Sequence, residues 1–70
     1  MSLNKALTQK EYTIKKITID DEALNAFLFS LGCYAGEPIT IISHTHSGSI
    51  ISIKDARYSI DRQLAEKIIV

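Results

Sequence analysis

The chain has 70 residues, 46% of them hydrophobic, with eight Lys/Arg against eight Asp/Glu and a formal net charge of zero. That length fits a single domain spanning residues 1–70, and the apolar fraction argues against disorder. Balanced charge removes the positive footprint of a general nucleic-acid binder, one cysteine excludes an internal disulfide, and no apolar run approaches the ~18 residues of a membrane span.

Residues 1–10 lack the apolar centre of a signal peptide and read as a partly ordered N-terminal segment, which makes the cytoplasm the expected compartment. Glu11–Ile19 is the first strand. Tyr12 and Ile14 alternate with polar neighbours, Ile17 and Ile19 fall on the opposite parity, and a bulge or bend at Lys15-Lys16 would turn both pairs inward. The chain's twelve isoleucines favour such pleated structure.

The period then becomes 3.6: Ala23, Leu24, Phe27, Leu28 and Leu31 form one apolar stripe. Asp20 or Asp21 is the N-cap, the neighbouring acids sit at the positive end of the helix dipole, and Gly32 suits the left-handed residue that stops a helix. The predicted helix is Asp21–Leu31. A tight connection follows, with Gly36 free to take positive φ.

Ile39 and Ile41 then share one strand face, and Thr40, Ile42, His44 and His46 the other. Ser47-Gly48-Ser49 marks a turn, Ile51 and Ile53 form the next inward pair, and Asp55-Ala56 makes a short turn into Arg57–Ile60, where Tyr58 and Ile60 point inward. Asp61 caps one helical turn through Ala65 with Leu64 packed down, and Ile68–Val70 is the last strand. The predicted fold is mainly β: a small, partly open barrel of about five strands, with one short α-helix between strands 1 and 2 and a helical turn before the last strand.

The run Leu28-Phe29-Ser30-Leu31-Gly32-Cys33-Tyr34-Ala35-Gly36, followed by Ile39 and Ile41, resembles the FeoA family, whose pattern is Leu-x-x-Leu-Gly-apolar-x-x-Gly and then an alternating strand. Tyr58, Ile60, Leu64-Ala65 and Ile68-x-Val70 resemble its ending, so the likeness extends from Tyr12 to Val70. A glycine common near Asp55 and an Asp-Pro in the loop Thr45–Ser49 are absent, and Cys33 stands where the family often has an aliphatic residue. The resemblance implies an SH3-like barrel and a cytosolic accessory protein of a FeoB-type ferrous iron transporter, peripheral to the inner membrane face through that partner. A similar module ends iron-dependent repressors, so the alternative is a metal-responsive regulatory domain acting through a transcription factor or as a homodimer.

For an iron-related protein, His44 and His46 are metal candidates, because residues i and i+2 on a strand project together and two imidazoles can chelate one ion. Cys33 and Glu37 would be further donors if the fold brought them near. Two ligands fall short of a site, and a solvent-facing histidine pair is the preferred reading, leaving room only for weak Fe(II) or other transition-metal binding. Cys33 follows a helix C-terminus, the wrong end of the dipole for a reactive thiolate, and reads as a small buried hydrophobe. No motif pairs a nucleophile with a base and no glycine run cradles phosphate, so no enzyme is expected. Lys5, Lys10, Lys15 and Lys16 lack interleaved aromatics for nucleic acid and read as a solvated face. The off-phase Ile42, Ile50 and Ile69 are either buried by a bend or form an apolar docking or dimer patch. Phe29, Tyr34, Ile42 and Ile50 are the candidate partner surface.

Overall fold

The computed structural model describes residues 1–70. In chain order the elements are a 3₁₀ turn Leu3–Lys5, β1 Glu11–Thr13, β2 Lys16–Ile17, α1 Glu22–Leu31, β3 Pro38–His44, β4 Gly48–Ile53, β5 Ala56–Asp61, α2 Arg62–Glu66 and β6 Ile68–Ile69. The six strands, one more than the sequence suggests, form an antiparallel sheet ordered β1-β3-β4-β5 and a separate ribbon of β2 with β6.

Isoleucine alternation builds the core. Ile39 and Ile41 of β3, Ile51 and Ile53 of β4, and Ile60 of β5 all face inward and are buried; full burial of each side chain contributes about 1.5–3 kcal/mol. Ile14, Leu28, Cys33, Ala65, Ile68 and Val70 complete that core together with Leu3 and Ala6.

The expected strand Glu11–Ile19 is two strands in two different sheets. β1 pairs with β3, Tyr12 opposite Ile39, and β2 pairs with β6, Ile17 opposite Ile68. The transfer falls at Ile14-Lys15, one residue earlier than predicted. There the Ile14 N–H donates to the Glu37 carbonyl at 2.9 Å, while the next amide, Lys15 N–H, donates to Ile69 at 2.7 Å. Consecutive amides of one strand point to opposite sides, so the chain passes from one sheet to the other without losing a bond. Tyr12, Ile14, Ile17 and Ile19 all reach the core.

In α1, Asp21 is the N-cap and its carboxylate accepts the Leu24 N–H at 3.1 Å. Gly32 closes the helix at φ 90°, its N–H directed to the Leu28 and Phe29 carbonyls. The apolar stripe is narrower than predicted. Leu28 is buried and Leu24 and Leu31 are half-buried, but Ala23 is exposed and Phe27 is 56% exposed. The helix rests on its i, i+4, i+7 line, a narrow seam that leaves residue 27 at the edge.

The start of the N-terminal segment is hydrogen-bonded to the end of the chain and packs into the core. The Met1 amine donates to the Val70 carbonyl at 3.1 Å, and the Val70 N–H donates back to Met1 at 2.9 Å. Ser2 Oγ and Asn4 Nδ2 donate to Glu66 Oε2 at 3.2 and 2.9 Å. Leu3 is fully buried and Ala6 nearly so, which makes the segment a plug packed against α2.

Two local irregularities were not legible beforehand. The β3–β4 register slips between Ile41 and Ser43, so Ile42 is the extra residue of a bulge. Gln9 satisfies the carbonyls there, its N–H donating to Ile41 and its Nε2 to Ile42, both at 2.8 Å. The β4–β5 turn is Lys54-Asp55, with φ 48° and 66°, rather than Asp55-Ala56, and β5 begins at Ala56. Positive φ at both central residues is the type I′ geometry that matches strand twist.

Candidate functional site

The bulge at Ile42 decides where the histidines go. Beyond it the strand's parity inverts, so His44 pairs with the fully buried Ser49, its own side chain staying exposed at the strand end. Its Nε2 lies 2.9 Å from the Ala6 carbonyl and its Nδ1 lies 3.1 Å from Ser49 Oγ. A carbonyl only accepts, so Nε2 carries the proton and Nδ1 accepts from the Ser49 hydroxyl in the neutral ring. Both ring nitrogens are committed within the chain. β3 ends at His44, and His46 lies in the following loop, exposed. The strand thus ends before His46, and no group of three or more His, Cys, Asp or Glu side chains is placed to hold a metal.

Cys33 is 1% exposed in the core, and burial pushes its thiol up to about 11. A thiol held neutral in this way is neither a nucleophile nor a metal ligand at neutral pH.

Around the C-terminus of α1 the structure brings several exposed groups together. The rings of Phe29 and Tyr34 stack with centroids 4.5 Å apart and an interplanar angle of 26°. Phe29 is 63% exposed even in that stack. The Tyr34 phenol is raised, first by its polar interaction with the Glu37 carboxylate, which is itself lowered by the same interaction. Lys54 Nζ lies 3.4 Å from Glu37 Oε1. This contact links the β4–β5 turn to the connection that follows α1. Ile42 and Ile50 are half-buried on the outer sheet face, Ile42 in the bulge beside the Ser43–Ile50 pair.

The exposed Phe27 was missed as a surface residue because helical periodicity alone places it in the stripe. It stands at the mouth of a slot of about 160 Å³ between α1 and the sheet, which is also lined by Leu31, Tyr58 and Leu64. A wider, open cleft of about 680 Å³ is lined by Ile19, Asp20, Asp21 and Leu24 around the start of α1 and by Asp61, Leu64 and Lys67 along α2 and its caps. Asp61 is the N-cap of α2, accepting the Leu64 N–H at 2.7 Å. Two aspartates read separately from the sequence as helix caps thus meet at one cleft. No helix is long and apolar enough to cross a membrane.

The family profile described as "FeoA domain" matches residues 1–70. Comparison with curated proteins finds no match. Among solved structures, iron(II) transport protein A from Clostridium thermocellum is 23% identical at a TM-score of 0.84, over 97% of this chain and 43% of that one. A protein described as iron uptake regulatory protein (FeoA) is 22% identical at 0.83, over 97% of this chain and 91% of that one. The FeoA of Stenotrophomonas maltophilia, complexed with zinc and described as a prokaryotic SH3 domain protein with a suggested role as a ferrous iron transport activating factor, is 16% identical at 0.81, over 100% and 88%. The chain spans less than half the length of the Clostridium protein it matches. These likenesses establish the fold as SH3-like.

Proposed function

The chain belongs to the FeoA family, and from that premise we propose that it is a non-catalytic accessory factor of a FeoB-type ferrous iron transporter, acting from the cytoplasm by protein–protein contact. One observation carries the reading: Phe29 remains 63% exposed while stacked on Tyr34, close to the Glu37–Lys54 pair. Aromatic side chains anchor interfaces at low entropic cost, whereas rim charges contribute little. Ile42 and Ile50 supply a second apolar strip on the outer sheet face. The alternative, a metal-responsive regulatory domain, requires a ligand set, and His44 has both ring nitrogens bonded within the chain.

The test is genetic and biochemical together. Deleting the gene should lower ferrous uptake under iron limitation, and the wild-type protein should restore it. Two double variants, Tyr34→Ala with Phe29→Ser and Ile42→Ser with Ile50→Ser, separate the patches. At least one should stay folded by circular dichroism, lose co-purification with the transporter and fail to restore uptake. Unchanged uptake on deletion refutes the accessory role.

A further inference from the structure

We propose that the free edge of β5 is a self-pairing interface, on which a second copy of this chain adds its own β5 antiparallel, Ser59 meeting Ser59 on the two-fold axis. Such a dimer goes beyond the accessory role and does not depend on it.

The larger sheet ends on β5, whose only strand partner is β4. That pairing runs without a bulge from Ile53–Ala56 to Gly48–Asp61. The two-residue turn Lys54-Asp55 closes on Ile53 and Ala56, which makes this first pair a hydrogen-bonded one. Bonded and unbonded pairs then alternate, so Ala56, Tyr58 and Ile60 direct their backbone groups to β4. The amides and carbonyls of Arg57 and Ser59, and the Asp61 amide, point away from it. No backbone bond outside the β4 ladder reaches Arg57 or Ser59. Proline, bulges and inward-pointing charges are the usual devices against edge pairing. β5 has none of them, and its one cation, Arg57, is exposed on the outer face.

Backbone direction and charge together select the register. Outward groups must meet outward groups, so residues 57, 59 and 61 pair only among themselves. Arg57 on Arg57 or Asp61 on Asp61 sets like charges across the strands, which is destabilising. Arg57 on Ser59 brings Asp55 of one copy opposite Asp61 of the other, and Ser59 on Asp61 runs the strand into α2. Ser59 on Ser59 instead places Arg57 opposite Asp61 of the second copy, twice by symmetry, with Tyr58 opposite Ile60 on the inner face. Opposite charges directly across antiparallel strands are stabilising. Asp61 is already held in position, its Oδ1 accepting the Leu64 N–H at 2.7 Å, and its other oxygen is left for the guanidinium. Ile50 pairs with Ser59, so the joined sheet sets Ile50 of both copies in one row, roughly 14 Å apart across three strand spacings. A contact one strand long belongs to the small, transient class of interfaces.

The test is self-association of the purified chain, followed by ¹⁵N relaxation and translational diffusion from roughly 0.05 to 2 mM, the range such a small contact requires. Tumbling should slow as concentration rises, and the Arg57 and Ser59 amides should exchange more slowly at the upper end. In a mixture of ¹³C-labelled and unlabelled chains, an intermolecular proton contact should join Tyr58 Hα to Ile60 Hα, because unbonded antiparallel pairs bring their Cα atoms to ~4.5 Å. Arg57→Glu, at an exposed position, should stay folded by circular dichroism and weaken association about tenfold or more. Arg57→Lys keeps the charge and should associate nearly as the wild type does. Asp61→Asn keeps the helix cap, removes the charge and should fall between the two. Unchanged tumbling over the whole range overturns the interface. So does wild-type association in Arg57→Glu, a loss in Arg57→Lys as large as in Arg57→Glu, or an intermolecular contact that sets other residues across the edge.

Discussion

The aliphatic stem of Lys54 lies directly on Gly32: a methyl group added at Gly32 would come within 2.7 Å of Lys54 Cε and 2.8 Å of Cδ. The helix stop and the β4–β5 turn are therefore one packed unit, braced further by the Lys54–Glu37 pair. Gly32 and Gly36 both hold positive φ, 90° and 93°, but space around Gly36 is open.

The first prediction separates strain from contact. Gly36→Ala should cost about 1–2 kcal/mol from left-handed strain alone. Gly32→Ala should cost more, and the excess should disappear when Lys54→Ala is added. Urea denaturation measures both; equal losses at the two glycines would show that the Lys54 stem yields freely.

The turn itself carries removable strain. Lys54 and Asp55 both sit at positive φ without being glycine. Asp55→Gly should raise stability by about 0.5–1 kcal/mol, because a type I′ turn favours glycine at its second central position. An unchanged or lowered urea midpoint refutes this.

His44 and His46 are both exposed, but only His44 is hydrogen-bonded within the chain, so the two should differ in their effect on stability. His44→Ala leaves the Ala6 carbonyl and the fully buried Ser49 hydroxyl without their ring partner, at a cost of about 1–3 kcal/mol. Faster amide exchange should appear in residues 1–10. His46→Ala should stay within about 0.5 kcal/mol of wild type. Anaerobic Fe(II) titration should be insensitive to Cys33→Ser; stoichiometric micromolar binding lost with both histidines contradicts this picture.

Cys33 gives a pH dependence with a definite sign. In the folded protein burial holds the thiol up to about 11, while in the unfolded chain it ionises near ~8.5. The folded state binds the proton more tightly, so this contribution is complete below the lower value and is lost as pH rises towards the upper one. The wild type should therefore lose more stability between neutral and strongly alkaline pH than Cys33→Ala, and react slowly with thiol reagents while folded. Parallel pH profiles for the two proteins would exclude it.

The parts legible in the sequence are those governed by local rules. Asp21 as cap, Gly32 as stop and the paired isoleucines 39/41 and 51/53 each need only a few neighbours to be read. What escaped depends on distant partners. Ile42 becomes a bulge because Gln9 is present to take two carbonyls, and that bulge, invisible to period-two counting, pairs His44 with Ser49. Leu3 and Ala6 have no periodic context, so their burial against α2 had no local signal. Phe27 satisfies the helical period and is left out only because the helix rests on a single seam.

The pairing of Met1 with Val70 and of β2 with β6 constrains how the molecule is made. During synthesis β3, β4 and β5 follow one another through short connections and can pair as they emerge. β2 and the first two residues cannot pair until Ile68–Val70 exist, whereas Ala6 already has His44 as a partner. A nascent chain that has not yet reached β6 leaves β2 without its partner strand. Ribosome-stalled chains ending before residue 68 should be open to protease in β2, and chains extended a few tens of residues beyond Val70 should not.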